Sequence, residues 1–288
     1  MDTDTYNEID DQFALSYLIK SDEKLCLKAI YAAPFFNSKS SGPADGMEKS
    51  YQEIMKILTL LGREDLKPAA LRGSISYLPG ETEPVRSEAA EDLACRAMKY
   101  TPENPLYVIA IGAVTNVASA ILINPGIIDR IVIIWLAGNS YDWPDNREFN
   151  LSQDVAAARV IFGSGAAVVQ LPCMGVVSAF TTTGPELEYW LRGKNALCDY
   201  LADVTTKEAA LCHSGNFWSR PIWDVTAVAW LLDGDFTLDR LERSPIPQYD
   251  HHYSFDKTRH FIKYVYHIKR DNLFGDLFTK LGLPKNGL

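Results

Sequence analysis

A chain of 288 residues with 47% hydrophobic content can bury one large core or two small ones. Its net charge of -9 and pI of about 5.1 argue against a nucleic-acid backbone or an anionic membrane as partner. The five cysteines are scattered without CxxC spacing, which suits a reducing compartment better than a zinc site or a disulfide framework. With no signal peptide and no apolar run long enough for a bilayer, the chain reads as a cytoplasmic protein.

The first element is acidic. Asp2, Asp4, Glu8, Asp10 and Asp11 crowd into the run MDTDTYNEIDDQFAL. Held a few ångströms apart in a partly dry cleft, such charges repel by about a few kcal/mol. A fold keeps them together where a hard cation binds or where a raised carboxyl pKa serves the chemistry. A solvated acidic terminus is the plain alternative. Against it, Phe13, Ala14, Leu15, Tyr17, Leu18 and Ile19 follow at helical spacing. The acids therefore open onto a buried helix over 12–20, with Asp10 and Asp11 in its first turn.

Further along, strands are expected at 27–33, 68–72, 106–111, 131–137 and 166–171. They read as continuous apolar runs, as strands buried on both faces of a mostly parallel sheet do. Helices fit at 46–62, 86–99, 114–122, 153–163, 195–210 and 224–232. This alternation predicts an α/β fold, an open, mostly parallel sheet with helices on both faces, in one domain over 1–288. From about 184 onward the chain reads as mainly helical and as a cap over the site.

Ligands of such folds bind outside the carboxyl ends of the strands. Asn37 follows the strand at 27–33, Gly112 that at 106–111, and Gly138-Asn139 that at 131–137. The acidic cluster should follow a strand too, yet only Met1 precedes Asp2. Either a first strand is lost, by truncation or by a misplaced start codon, or another segment fills its slot; the former is the expectation here.

Four segments join the acidic loop: IAIGAVTNVA at 109–118, AGNSYDWPDNREFN at 137–150, PIWDVTAVA at 221–229, and PFFNS ending just after Asn37. Together, and in this order over essentially the whole chain, they resemble the nucleoside hydrolases, N-ribohydrolases of the inosine/uridine-preferring type. The family's first loop is usually DxDPGxDD; here DTDTYNEIDD is two residues longer and lacks the Pro-Gly pair, so Glu8 stays unassigned. The resemblance implies a calcium ion (Ca2+) held by Asp4, Asp11, the carbonyl of Ile111 and Asp224, with Asp4 also the catalytic base. It implies sugar contacts from Asp10, Asn37, Glu148 and Asn150, with Asn139 or Asp142 as a further one. It also implies a small-molecule nucleoside or riboside as substrate and a homo-oligomer, a dimer or a tetramer.

The residue types suit that chemistry independently. Calcium takes about six to eight oxygens. Three carboxylates and a carbonyl leave room for a water and two sugar hydroxyls, so the ion would be both template and water activator. Cleavage of an N-glycosidic bond passes through an oxocarbenium-like state that nearby carboxylates favour. Each residue also has a plainer reading. Asp224 could be a helix cap, Asp10 and Asp11 could serve only the helix dipole, Glu148 could be a solvated acid and Asn150 a cap. Thr115 and Asn116 read as structural caps of the helix at 114–122.

The leaving group is where this chain departs from its resemblance. Many members carry His immediately before the last metal-ligating Asp, whereas this chain has Trp223, as the purine-specific branch does. Indole is no general acid. It stacks on a flat purine and favours its protonation, a contribution of about 0.5–2 kcal/mol. No histidine offers a clear replacement acid, His213 being nearest in sequence. Tyr77, Trp143, Tyr189, Trp190, Phe217 and Trp218 could supply a second stacking face. The resulting expectation is a calcium-dependent hydrolase of purine ribonucleosides, with Asp4 and Trp223 catalytic. The alternatives are a related enzyme for another riboside or a carbohydrate-derived substrate, and a catalytically silent binder.

Overall fold

The computed structural model describes residues 1–212, 217–232 and 234–282. Its centre is an eight-stranded sheet in the order β3-β2-β1-β4-β5-β6-β12-β9. In chain order the first half runs β1 (Asp2–Thr3), α1 (Asp10–Ile19), β2 (Ile30–Ala32), α2 (Pro43–Leu61), β3 (Ala70–Arg72), α3 (Glu88–Arg96), β4 (Leu106–Ala110), α4 (Thr115–Ile123) and β5 (Ile131–Leu136). The second half runs α5 (Phe149–Gln153), α6 (Val155–Gly163), β6 (Ala167–Leu171), β7 (Thr181–Thr183), α7 (Gly184–Trp190), α8 (Ala196–Cys212), β8 (Ser219–Pro221), α9 (Val225–Leu232), β9 (Thr237–Arg243), β10 (Ile246–Pro247), β11 (Tyr253–Ser254), β12 (Phe261–Ile268) and α10 (Arg270–Gly282). All neighbours in the main sheet pair in parallel except β9, which lies antiparallel along β12 at the edge.

The apolar runs are continuous because both faces of the sheet are covered. On β5, Ile131, Ile133 and Trp135 enter one core while Ile134 and Leu136 enter the other. The core of Ile131, Ile133 and Trp135 holds α3, α4 and α6; that of Ile134 and Leu136 holds α1, α2, α9 and α10. Phe13, Trp135 and Phe162 are wholly inaccessible to solvent. Fully burying a side chain of this kind contributes about 1.5–3 kcal/mol.

Two expectations need correction. The central slot is not without residues: Asp2 and Thr3 occupy it, pairing with Tyr31 and Ala32 of β2, and Asp2 also pairs with Ala110 of β4. The Met1 ammonium donates to the Ala29 carbonyl at 3.0 Å, and burial lowers its pKa to about 6. Nor is the C-terminal part mainly helical. Beyond α9 it supplies β9 and β12 to the main sheet. Both are exposed along much of one face, so Arg, Glu, Lys and Tyr interrupt the apolar run that marks a doubly buried strand. The expected helix at 153–163 is α6, which Asp154 caps by accepting from the Ala157 N–H at 2.9 Å, and the short α5 precedes it.

The sheet order reverses direction between β1 and β4, the switch point where parallel sheets open a crevice at their carboxyl edge. Among the described residues no helix is long and apolar enough to cross a membrane.

Candidate active site

At that switch point a cavity of about 290 Å³ is lined by Asp4, Glu8, Asp10, Asp11, Ile111, Asn139, Glu148, Asn150, Trp223 and Asp224, among others. Residues from the ends of β1, β4 and β5 and from the start of α9 thus converge, although they are spread along most of the chain.

The acidic loop is held by its own polar residues. Asn7 N–H donates to the Asp4 carbonyl at 2.7 Å, and Gln12 Nε2 to the Thr5 carbonyl at 2.8 Å. Thr3 Oγ1 donates to Asp11 Oδ1. Behind the loop, Asn116 Nδ2 donates to Asp2 Oδ1 at 2.7 Å and to the Ala32 carbonyl at 3.2 Å, while its Oδ1 accepts from Ser74 N–H and Oγ. Asn116 therefore ties three strand ends together rather than capping α4. Thr115, likewise, donates to Asp154 Oδ2 at 2.7 Å.

Carboxylate oxygens of Asp10, Asp11 and Asp224 lie within 4.8 Å of one another, and all three residues are buried. Beside them, both oxygens of Asp4 are buried with no hydrogen-bond partner among the described residues. Buried, unpartnered carboxylate oxygens are costly unless something positive completes them. The clustered donor set, Asp10, Asp11 and Asp224, fits a hard divalent cation; Asp4 and Ile111, the other expected ligands, line the same cavity but Asp4 is not part of that cluster. Gly112 permits the approach, since a Cβ there would stand 3.1 Å from both Cγ and Oδ1 of Asp4.

Electrostatics agree with the geometry. Burial, followed by the charges of Asp11, Asp10 and Glu8, pushes the Asp4 carboxyl well above the usual range. Burial and neighbouring acids raise Asp10 and Asp224 in the same way. Asp11 is pushed up to about 7 by burial, against the lowering effect of the Thr3 and Asp224 hydrogen bonds. Glu8 pairs with Arg220 at 3.1 Å.

Glu148, which also lines the cavity, has a structural task. Its Oε2 accepts from Gly138 N–H at 2.8 Å and Leu151 N–H at 2.9 Å, and its Oε1 from Asn150 N–H at 2.8 Å. It therefore caps α5 and fixes the end of β5, and the Cys173 thiol hydrogen-bonds to it as well. Burial raises its pKa, and those three N–H groups oppose the rise. Asn150 Nδ2 donates to the Leu136 carbonyl at 3.1 Å. Asn139 donates to the Asp145 carbonyl and accepts from Met174 N–H. Gly138, at φ +70, passes where a Cβ would strike the Tyr253 hydroxyl.

Asn37 does not line the cavity. It donates to Asn7 Oδ1 at 2.6 Å, and Asn7 stands on the wall in its place. Asp142 is also absent from the lining, whereas Asp145 is part of it. Of the aromatic candidates for a second stacking face only Trp143 reaches the cavity, which Trp223 also lines. No described histidine lines it, and His213 lies outside the described residues. Sequence reasoning missed Asn7, Arg147, Cys173 and Met174, which sit in loops without a periodic signal.

A family model described as inosine-uridine preferring nucleoside hydrolase matches residues 1–261. The chain is 27% identical over 238 residues to the pyrimidine-specific ribonucleoside hydrolase RihA of Citrobacter koseri, covering 73% of this chain and 76% of that protein. Among solved structures it is similar to the purine-preferring ribonucleoside hydrolase of Gardnerella vaginalis, with a TM-score of 0.80 at 20% identity over 98% and 96% of the two chains. It is also similar to a plant nucleoside hydrolase, with a TM-score of 0.79 at 19% identity over 98% of each chain.

Proposed function

The chain belongs to the inosine-uridine preferring nucleoside hydrolases, N-glycosyl hydrolases acting on ribonucleosides, and we propose that it is a calcium-dependent member favouring purine leaving groups. The observation that carries the reading is the cluster of buried acids, Asp10, Asp11 and Asp224, in a cavity that Asp4 also lines with both its oxygens unpartnered. Asp4, Asp11, Asp224 and the Ile111 carbonyl would hold the ion. When bound, calcium supplies positive charge that orders vicinal sugar hydroxyls and makes a nearby water more acidic.

Within that frame each residue has a task. Asp4 takes the proton of the attacking water at a carboxylate oxygen. Asp10 accepts a hydrogen bond from a ribose hydroxyl, and Asn139, Glu148 and Asn150 hold the sugar's other hydroxyl end, so that the anomeric carbon faces the attack. The surrounding carboxylates favour the positive charge that develops on the sugar. Trp223, which lines the cavity as Trp143 does, stacks on the departing base as it gains a proton. Asn37 acts through Asn7 rather than on the sugar itself. Similar relatives carry both pyrimidine and purine names, so support for the purine preference comes from the two indoles. A cytoplasmic homo-oligomer completes the reading, supported by the scattered cysteines and by the family resemblance.

The test is turnover of inosine, adenosine, guanosine, uridine and cytidine by the purified protein, with calcium and with a chelator. Purine rates well above pyrimidine rates, abolished by the chelator, are expected. Equal rates on uridine and inosine overturn the stacking argument, and chelator-insensitive turnover overturns the metal.

A further inference from the structure

Twelve of the thirteen arginines donate to a carboxylate or a carbonyl, or pair with an acid. Arg147 is the exception: among the described residues its guanidinium has no hydrogen bond and no ion pair, and only its backbone N–H is engaged, by Asp145 Oδ1 at 2.9 Å. It is also the one cationic residue in the cavity lining. Arg147 is exposed to solvent at the cavity, and no described acid pairs with its guanidinium. Its planar fork of N–H donors matches a phosphate or a carboxylate.

Its place on the chain says where such an anion would sit. Arg147 immediately precedes Glu148 and stands three residues before Asn150, the pair read above as holding the far hydroxyl end of the sugar. Glu148 would not repel an anion strongly there, because three backbone N–H groups already point at its oxygens. We propose that the site takes ribosides whose primary hydroxyl carries a phosphate, nucleoside 5'-monophosphates, and that Arg147 is the specificity-determining residue. The inference rests on the placement of the sugar given under the proposed function. The bond cleaved is the same N-glycosidic bond, so water adds to the sugar, the base leaves with a proton, and the phosphate ester stays intact.

The experiment compares kcat/KM for inosine and inosine 5'-monophosphate, in the unmutated protein and in Arg147→Ala and Arg147→Lys, at low and high salt. The monophosphate should be preferred, the preference should fall as salt rises, and the ratio should drop by about tenfold to a hundredfold in Arg147→Ala, with partial rescue in Arg147→Lys. Calorimetric titration with ribose 5-phosphate and with ribose makes the same comparison without turnover. Nucleosides cleaved at least as well as their monophosphates, or a ratio unmoved by Arg147→Ala, overturns the role of Arg147 alone. Orotidine preferred over uridine, with no gain from a 5'-phosphate, would put the anion on the base and overturn the placement. Turnover of no nucleoside or nucleotide, with no difference between ribose 5-phosphate and ribose, overturns this inference together with the hydrolase reading.

Discussion

Replacing Asp11 by Asn should stabilise the metal-free protein, although it removes a proposed ligand. Burial pushes the Asp11 carboxyl from 3.8 to about 7, and Asp11 is only 1% exposed. A rise of roughly three pH units, at about 1.36 kcal/mol each, corresponds to ~4 kcal/mol spent on ionising this one group in the fold. Between those two pH values the folded protein binds more protons than the unfolded chain, so stability falls as pH rises through the window. Asn carries no charge to bury, still accepts from Thr3, and relieves Asp4, Asp10 and Asp224, each of which is raised in part by Asp11. Denaturant unfolding in chelator should therefore show Asp11→Asn stabler than the unmutated protein at pH 7.5, with no difference near pH 4. With calcium at about a hundred times its dissociation constant the unmutated protein gains about 2.7 kcal/mol, a gain the variant largely lacks. If Asp11→Asn is no stabler than the unmutated protein in chelator at pH 7.5, the carboxylates are not charged and crowded as described.

Asp4→Asn keeps the shape of the site but removes its basic oxygen; turnover should fall by about 10²–10⁴-fold while nucleoside binding, read by calorimetry, persists. Near-normal turnover would assign the base elsewhere. Trp223→Ala should lower kcat on inosine more than it raises KM, because stacking gains most as the base becomes protonated; a pure KM effect contradicts this. Gly112→Ala pushes a methyl to 3.1 Å from Asp4. It should cost about tenfold or more in kcat with little change in melting temperature, and unchanged kcat would show that Asp4 has slack to give.

What could be read from the sequence follows from burial. β4 and β5 were legible because cores press on both faces, and α1 because the acids lead into a buried run. Asp10 and Asp11 stood out as acids leading into an apolar helix, Asp4 and Asp224 were named through the family resemblance, and the structure brings all four to one cavity. β9 and β12 escaped notice because an edge position leaves one face to Arg, Glu, Lys and Tyr. Asn116 looked like a cap because its actual partners, Asp2, Ala32 and Ser74, lie 114, 84 and 42 residues away. Trp143 could be offered only as one of six aromatics and Arg147 gave no signal, since a loop's direction is set by what it packs against and not by its own period.

The Asp224 N–H donates to Asp10 Oδ2 across 214 residues of chain. At about 5–20 residues per second a ribosome needs roughly 10–40 s to make the span between them. During that interval the acids of the first loop can have neither their partner nor the full set of cation donors. The parallel sheet imposes the same delay, since β1 sits at its centre and β12, which completes it beside β6, comes from the end of the chain. Long-range pairing of this kind folds slowly. Cation capture therefore belongs to the last stage of maturation, and in a pulse-labelled synthesis experiment resistance to protease conferred by calcium should emerge only after α9 has left the ribosome.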